Sequence, residues 1–360
     1  MTRFLQDILR QPDELRRVLD HLQGPGHRTL EDAAQRIRSA RHVYFTGIGS
    51  SWHVAMSVKP LFYLAARPVY LEDAAELWKF SAIPPEAVIV MISRSGRSVE
   101  IVNLLAKARE SAAFVIGITS SEDAPLAREA QIAILVPAEP DHAISVNAYS
   151  SLAAAAGALA SVTAFSFDHA LCATLMQAAS AVEIAIPKWQ QQICHSAWPA
   201  PGSVSYFLAR GGSLGSCHEA RLLWEEGVKS PATAMGTSSF RHGPQEMLRP
   251  AARFGLWIDA QRMREQDLAV ARDLSLLGAS TMLIGHDVPE DAGDLVLQLP
   301  ETPQDWQFLI DIIPAQLAAE HLARLSGVDA DSFRYCSYIV EDEYGLAGEK
   351  AALPKPGRRV

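Results

Sequence analysis

Three serines, two arginines and a glycine lie together in the segment Ser93-Arg94-Ser95-Gly96-Arg97-Ser98. This segment follows an apolar run and precedes a helical pattern, which places it between a buried strand and a helix N-terminus. Free N–H groups and the positive end of the helix dipole favour an anion at such a position. The hydroxyls and guanidinium groups would add donors, so the segment predicts a phosphate site. The alternative is a cluster that caps the helix, with Ser98 as the capping residue.

A second candidate anion site lies in Gly47-Ile48-Gly49-Ser50-Ser51, also at a strand–helix junction. As a dinucleotide-binding fingerprint this segment is incomplete, because the third glycine is missing and no clear acidic partner for a ribose follows. No Walker-type lysine motif is present either. We therefore interpret the segment as a second oxyanion-binding turn.

The second half of the chain carries candidate acid/base side chains. Glu225 and Glu226 lie near the end of a predicted helix, with Lys229 close behind, and His242 lies in Ser239-Phe240-Arg241-His242-Gly243-Pro244. Isomerisation of a sugar needs a group that opens the ring near neutral pH, which suits histidine. It also needs a base between C1 and C2, which suits a partly desolvated glutamate. By themselves, the two glutamates also fit a solvated helix face, and the histidine fits a turn.

Strands and helices alternate around these segments. After two N-terminal helices, over about residues 4–22 and 30–39, strands are predicted at 42–46, 69–71, 87–92, 114–119 and 132–136. After a long helical segment from about residue 148 into the 180s and a Pro/Gly-rich linker at 198–202, strands follow at 204–209, 254–258, 281–284 and 295–299. Apolar strands that alternate with helices predict an α/β fold with mostly parallel sheets flanked by helices on both faces. The recurring strand, Gly/Ser turn and helix indicate a tandem duplication. Two unrelated α/β domains are the alternative.

Composition limits the class of protein. The 360 residues carry a formal net charge of −9, which argues against broad nucleic-acid binding. The four cysteines form no zinc spacing, so free thiols in a reducing cytosol are expected. The N-terminus opens an amphipathic helix and not a signal peptide, which indicates a cytoplasmic protein. Residues 146–165 are as long as a membrane span but rich in Ala and Ser, and we interpret them as a buried or interface helix.

Together, these motifs resemble the SIS (sugar isomerase) domain family in its tandem form, over about residues 35–340. The resemblance rests on Ser93–Ser98, Gly49-Ser50-Ser51 and the run from His218 to Pro244. It implies two SIS domains, here expected at 35–165 and 203–338, with a helical arm at 1–34, a helical linker at 166–202 and a tail at 339–360. It also implies a homodimer with shared sites that acts on a hexose 6-phosphate, with no cofactor, metal, nucleic acid or membrane.

The resemblance also assigns roles to residues. It implies Glu226 as the C1/C2 base and His242, supplied by the neighbouring subunit, as the ring-opening group. The phosphate-binding positions are Ser51, Ser93, Arg94, Ser95 and Ser98, and weaker sugar contacts are expected from Gly49, Ser50, Ser145 and Lys355.

Two departures from the family pattern shape the expected activity. The glutaminase domain of the related synthases is not found, so glutamine-dependent synthesis is not expected. The family's Schiff-base lysine position carries Tyr338, and tyrosine cannot form an imine. Either Lys350 or Lys355 returns to the pocket, or the chemistry needs no imine. The sequence thus predicts an isomerase or aminosugar-phosphate deaminase; the alternative is a phosphosugar sensor without catalysis.

Overall fold

The computed structural model describes residues 1–343. Its strands are β1 (Val43–Thr46), β2 (Tyr70–Leu71), β3 (Val88–Ile92), β4 (Phe114–Thr119), β5 (Ile132–Leu135), β6 (Ser205–Ala209), β7 (Ala232–Gly236), β8 (Arg253–Trp257), β9 (Ser280–Gly285) and β10 (Leu295–Gln298). Its α-helices are α1 (Arg3–Gln23), α2 (His27–Ser39), α3 (Ser50–Leu64), α4 (Ala74–Lys79), α5 (Val99–Glu110), α6 (Pro125–Glu129), α7 (Asn147–Thr163), α8 (His169–His195), α9 (Ser213–Leu223), α10 (Thr237–Phe240), α11 (Arg264–Leu276) and α12 (Ile313–Leu325).

The strands form two five-stranded parallel sheets. The first has the order β2-β1-β3-β4-β5, and the second has the order β10-β9-β8-β6-β7. If the strands of each sheet are numbered along the chain from that sheet's own first strand, both sheets have the order 2-1-3-4-5. The direction of winding reverses between β1 and β3 in the first sheet, and between β6 and β8 in the second. Ligands in open α/β sheets bind outside the carboxyl ends of the strands at this reversal.

Helices cover both faces of the first sheet, as the apolar strands predict. The strand β3 is buried along its whole length. On one face it packs with α4 and α5 through Leu77, Ile101 and Leu104. On the other face it joins the large core that α1, α2, α3 and α7 share with the second lobe. The α/β prediction is confirmed at this level.

The two lobes pack together through α3, α7 and α9. All residues of α7 are buried, which confirms the interpretation of this segment as a buried helix. Helix α9 comes so close to α3 that a Cβ atom on Gly215 would lie 2.0 Å from Ser57 Oγ and 2.3 Å from the carbonyl oxygen of His53. Only a glycine allows the two helices to approach this closely. The lobe interface is therefore determined in part by one residue without a side chain.

One described helix, α8, is long and apolar enough to cross a membrane by length and composition alone, and a third of its most apolar window is buried. This helix packs against α1 and α12, and Trp189 on it donates a hydrogen bond to the carbonyl oxygen of Gln298. Core helices satisfy the same criterion, so the feature is weak evidence for a span.

The structure corrects three expectations about elements. The strand β7 was not predicted, because its sequence Ala-Thr-Ala-Met-Gly is short and only half-buried at a sheet edge. The long helical segment is two helices, α7 and α8, separated at Phe165, which has a left-handed backbone (φ 58°). Helix α2 begins at His27, three residues earlier than expected.

Beyond α12, the chain crosses both lobes in an irregular C-terminal segment, residues 326–343. The Asp331 carboxylate accepts hydrogen bonds from the backbone N–H groups of Arg3 and Phe4 at the start of α1. Further along, the backbone N–H of Val99 donates to the carbonyl oxygen of Val340. The segment thus connects the first turn of α1 with the first turn of α5.

Candidate functional site

The serine-rich segment forms a tight loop between β3 and α5. Gly96 has φ +61°, and a Cβ there would lie 2.7 Å from Ala124 Cβ, so the loop requires glycine. The Ser93 hydroxyl accepts a hydrogen bond from Gly96 N–H at 3.1 Å, and the Ser95 hydroxyl accepts one from Arg97 N–H at 3.2 Å. The hydroxyls therefore shape the loop as well as offering donors to a ligand.

Ser98 occupies the position that would cap α5, but its side chain makes no capping hydrogen bond. The capping alternative is thus not realised at this residue, and the hydroxyl remains available at the amino end of the helix. Ser51 lies in the first turn of α3, after Gly49, whose φ is +56°. Because β1 and β3 are neighbours and parallel, the loops that carry Ser51 and Ser98 leave the same edge of the sheet, at its reversal point.

Arg94 is covered by the C-terminal segment. Its guanidinium lies 4.0 Å from the centre of the Tyr338 ring and donates a hydrogen bond to the Tyr338 carbonyl oxygen at 3.3 Å. The Tyr338 hydroxyl in turn donates to the carbonyl oxygen of Asp141 at 2.8 Å. Tyr338, at the position where the resemblance implies a lysine, therefore lies beside the serine loop.

Ser145 lies in the loop that leads into α7. The buried Asp141 carboxylate organises this loop by accepting hydrogen bonds from the backbone N–H groups of Val146, Asn147 and Ala148. Burial nevertheless raises the pKa of Asp141. Ser145 is half-buried near the residue that holds Tyr338, which places it on the same side of the first lobe as the serine loop.

Glu226 lies in a single turn of π-helix, Trp224–Val228, that continues α9. A cavity of about 370 Å³ separates this turn from the C-terminal segment, and its volume is in the range of small-molecule pockets. The cavity is lined by Glu225, Glu226, Lys229, Ser230, Pro231, Phe333, Arg334, Tyr335 and Cys336.

The environment of Glu226 favours its protonated form. Burial, together with the nearby negative charge of Glu219, raises its pKa to about 7, and the positive charge of Lys229 opposes this shift. Burial also lowers the pKa of Lys229, whose amine donates hydrogen bonds to the carbonyl oxygens of Glu226 and Ser332. A carboxyl group that ionises near neutral pH is suited to take and return a proton.

His242 is exposed in a turn after α10 and is not among the residues that line the cavity with Glu226. Within the described residues, His242 is thus not placed in the cavity that contains Glu226. Lys350 and Lys355 lie outside the described residues. The assignments of His242 and Lys355 stay predictions.

Sequence reasoning missed a polar cluster between the lobes. Glu219 on α9 is within hydrogen-bond distance of His53 and Ser50 on α3, and His218 lies next to His53 with ring centres 5.8 Å apart. Burial, with smaller contributions from His53 and Arg221, lowers the pKa of His218 to about 4. One signal was present: Glu219 precedes Glu226 by seven residues, which puts both on one face of a helix.

Residues 1–343 have two further features. In this part of the chain, no three His, Cys, Asp or Glu side chains group in a way that could hold a metal ion. A second cavity, of about 380 Å³, lies where β1 and β3 begin, with Arg36, Arg41 and His42 among its lining residues. It contains none of the predicted site residues.

Comparison with known sequences identifies the first lobe. Residues 36–162 match the SIS domain family. The glutamine–fructose-6-phosphate aminotransferase (isomerizing) of Bacillus subtilis is 24% identical over 343 residues, which cover 92% of this chain and 57% of that protein. That of Thermococcus kodakarensis is 21% identical over 346 residues, 92% of this chain and 56% of that protein. The chain thus spans little more than half the length of these relatives.

Solved structures share the whole two-lobed fold. The C-terminal domain of glucosamine-fructose-6-phosphate aminotransferase from Francisella tularensis superposes with a TM-score of 0.82 at 20% identity, over 92% of this chain and 98% of that one. Glucosamine-6-phosphate deaminase from Thermotoga maritima superposes with a TM-score of 0.79 at 20% identity, over 94% of this chain and 99% of that one. Tagatose-6-phosphate ketose/aldose isomerase from Escherichia coli superposes with a TM-score of 0.79 at 18% identity, over 92% of this chain and 95% of that one.

These three structures place both sheets of this chain in one known fold, and the sequence match assigns a family to the first of them. This match agrees with the resemblance inferred from the serine loop and the glycine-rich turn, both of which lie within residues 36–162. The match to the SIS domain family thus covers residues 36–162 of this chain.

Proposed function

We propose that this protein binds a hexose 6-phosphate, with an amino sugar as the preferred class, and isomerises it between aldose and ketose forms. The observation that carries this proposal is Glu226, a half-buried carboxyl group with a pKa of about 7 that lines a cavity of small-molecule size. A solvated helix face would leave this group with an ordinary pKa.

In the proposed complex, the hydroxyls of Ser51, Ser93, Ser95 and Ser98 hold the phosphate at the amino ends of α3 and α5. Three observations support this arrangement: the reversal of strand order between β1 and β3, the Ser98 hydroxyl that makes no capping hydrogen bond, and the glycine at position 96. Arg94, now packed on Tyr338, would add positive charge at the loop. Gly49, Ser50 and Ser145 would contact the sugar.

The proposed chemistry has three steps. His242 of the partner subunit opens the ring by moving a proton between the ring oxygen and the C1 hydroxyl. The Glu226 carboxylate removes the proton on C2 and returns it to C1 of the resulting double-bonded intermediate. With an amine on C2, the product is an imine, which water hydrolyses to a ketose phosphate and ammonia. With a hydroxyl on C2, the product is the ketose itself.

Several parts of this proposal concern the whole molecule. The second sheet has the strand order of the first, which supports a tandem pair of SIS domains at 35–165 and 203–338, joined by the helical linker at 166–202. The exposure of His242 supports a homodimer with shared sites. The comparisons with enzymes of sugar-phosphate metabolism support a cytoplasmic location and a sugar-phosphate ligand.

One observation favours a second candidate function, a phosphosugar sensor without turnover. Tyr338 occupies the position where the family carries its imine-forming lysine, and its hydroxyl and carbonyl groups are both engaged in hydrogen bonds. A sensor needs neither Glu226 nor His242, so the presence of both favours the enzyme.

Ammonia release from glucosamine 6-phosphate tests the proposal most directly. We expect turnover by the native chain and a loss of about 10²–10⁴-fold in Glu226→Gln. Glu225→Gln is the matched control, because Glu225 is the neighbouring carboxylate but forms an ion pair with Arg221. We expect this variant to keep most of the activity.

The absence of ammonia would exclude deamination of that substrate. A panel of galactosamine, fructosamine and neutral hexose 6-phosphates, scored for ketose formation and for thermal shift, then separates the remaining cases. Ketose without ammonia indicates an isomerase. A raised melting temperature without any product indicates a sensor.

A further inference from the structure

The second cavity, of about 380 Å³, lies at the amino ends of β1 and β3. The end of α2, the residues that lead into β1 and the turn Pro84-Pro85-Glu86 before β3 form its wall. The serine loop leaves the opposite end of β3, and the five residues of this strand separate the two places by about 17 Å. The second cavity is therefore remote from the candidate phosphate site.

The lining of the second cavity carries more positive than negative charge. Arg36, Arg41 and His42 lie in it, and Glu86 is the one acidic side chain among the described residues that line it. Within residues 1–343, neither arginine forms an ion pair. The chain as a whole has a net charge of −9, so acidic side chains are in excess and two arginines without one in a single cavity are unusual. Their arrangement indicates that the partner is an anion from solution.

Arg36 is held in place by an aromatic ring and not by a carboxylate. Its guanidinium lies 4.6 Å from the centre of the Phe114 ring, at the start of β4. Its Nε atom is buried and makes no hydrogen bond with any described residue. A buried donor without an acceptor costs free energy, whereas a guanidinium that already packs on a ring loses little freedom when it binds an anion. The side chain thus offers the cavity a preorganised cation.

The end of a helix gives a second reason for an arginine at this place. Carbonyl groups at the carboxyl end of α2 attract cations, and Arg36 and Arg38 both lie in its last turn. Arg38 fulfils that role, since it donates to the carbonyl oxygen of Val162 at 3.0 Å and pairs with Glu31. Arg41 lies beyond the helix, so the helix dipole does not explain it. The same carbonyl groups oppose an anion, and the two arginines must supply the attraction.

The opposite wall of the second cavity is stiff. Pro84 and Pro85 have a restricted φ, and Glu86 has a left-handed backbone (φ 61°), which is uncommon for a residue with a side chain. The Glu86 N–H donates to the carbonyl oxygen of Ala112 at 3.3 Å. Such a conformation persists only where its surroundings impose it, and it is found preferentially at functional sites. The turn therefore fixes a carboxylate at the cavity, and a carboxylate accepts hydrogen bonds from hydroxyl groups.

We propose that the second cavity binds a small phosphate ester that carries hydroxyl groups, either a sugar phosphate or a nucleotide. Arg36 and Arg41 hold the phosphate, because a planar guanidinium matches two phosphate oxygens. Ser39 and Glu86 contact the hydroxyl groups. The volume of the cavity is within the range of small-molecule pockets. This inference is independent of the proposed function, since it involves none of the residues that are assigned to turnover.

Isothermal titration calorimetry of the full chain measures the binding. The probes are glucose 6-phosphate and 5′-AMP, with glucose and adenosine as controls that lack the phosphate. We expect at least one ester to bind and its control not to bind, and we expect Arg41→Gln to raise the Kd by about tenfold or more. Arg28→Gln is the matched control, because Arg28 is exposed at the other end of α2. The ester that binds identifies the source of the phosphate.

Three further variants assign the binding to this cavity. Arg36→Gln should weaken it as Arg41→Gln does, and the melting temperature shows whether loss of the contact with Phe114 unfolds the variant. Glu86→Gln removes the acidic side chain from the lining and should lower the Kd of inorganic phosphate by about twofold. Ser98→Ala separates binding at the serine loop, which it should weaken, from binding at the second cavity, which it should not change.

Two results would overturn the proposal. One is that neither ester binds at millimolar concentration. The other is that an ester binds with the same Kd to the native chain and to Arg41→Gln, and that Ser98→Ala alone weakens it. This second result would leave the proposed function intact and show that the serine loop is the phosphate site of the molecule.

Discussion

At the scale of single residues, the ionisation of Glu226 determines how activity should depend on pH. The group acts as a base only as a carboxylate, and burial together with Glu219 raises its pKa to about 7. We expect kcat/KM to rise about tenfold per pH unit up to about pH 7 and to level off above it. Initial rates between pH 5 and 9 with a stable sugar phosphate provide the measurement. If kcat/KM instead levelled off above about pH 4.5, the result would contradict a desolvated base, since an ordinary glutamate titrates near that pH.

The serines of the phosphate loop should separate into two classes by their effects. Ser98 makes no capping bond, so Ser98→Ala should raise KM by about tenfold, the equivalent of one lost hydrogen bond of ~1.4 kcal/mol, at an unchanged melting temperature. Ser93 is buried and accepts from Gly96 N–H, so Ser93→Ala should also lower the free energy of unfolding by about 1 kcal/mol.

The control for both serines is Ser111→Ala at the opposite end of α5, where the hydroxyl bonds to the carbonyl oxygen of Lys107. This variant should leave KM unchanged. If Ser98→Ala had no effect on KM while Ser111→Ala did, the loop would not be the phosphate site.

At the scale of elements, the contact between α3 and α9 depends on Gly215. A methyl group there would lie 2.0 Å from Ser57 Oγ, so Gly215→Ala must push the helices apart. We expect the free energy of unfolding to fall by about 1–3 kcal/mol and turnover to fall with it, because the turn that carries Glu226 continues α9. Chemical denaturation and initial rates measure the two effects.

Gly236→Ala is the matched control for this helix contact. An added Cβ at Gly236 meets its nearest neighbour, Ser239 Oγ, at 3.7 Å, an ordinary contact. The control should keep both stability and turnover. Native-like stability of Gly215→Ala would show that the interface relaxes and does not depend on this approach.

At the scale of the whole molecule, the position of His242 predicts a shared site. Glu226→Gln and His242→Asn should each be inactive, because each lacks one of two groups that meet only across a homodimer. Co-expression of the two variants should restore about one quarter of native activity, since half of the dimers are mixed and each mixed dimer has one intact site. Mixed dimers can be isolated with two affinity tags and assayed. Inactive mixed dimers would place ring opening with a group other than His242 of the partner subunit.

Much of the first lobe was accessible from local patterns. The apolar run at 87–92 forms β3, and the serine loop follows it as predicted, because a strand buried on both faces and a glycine with positive φ leave clear local signals. The short edge strand β7 left no such signal, since its half-buried residues need neither strong hydrophobicity nor alternation. Spacing alone also did not distinguish Glu225 from Glu226. The ion pair of Glu225 with Arg221 and the raised pKa of Glu226 separate them in the structure.

By itself, the sequence determined which residue types stand at the ends of which strands, and hence the α/β class and the position of an anion-binding loop. These properties depend on neighbours a few residues apart, which periodicity and turn chemistry reveal. Only the tertiary structure decided that His53 meets Glu219, 166 residues away, and that Tyr338 covers Arg94, 244 residues away. Such contacts depend on how two lobes pack and on where the C-terminal segment crosses them, and no local pattern in a single sequence records that geometry.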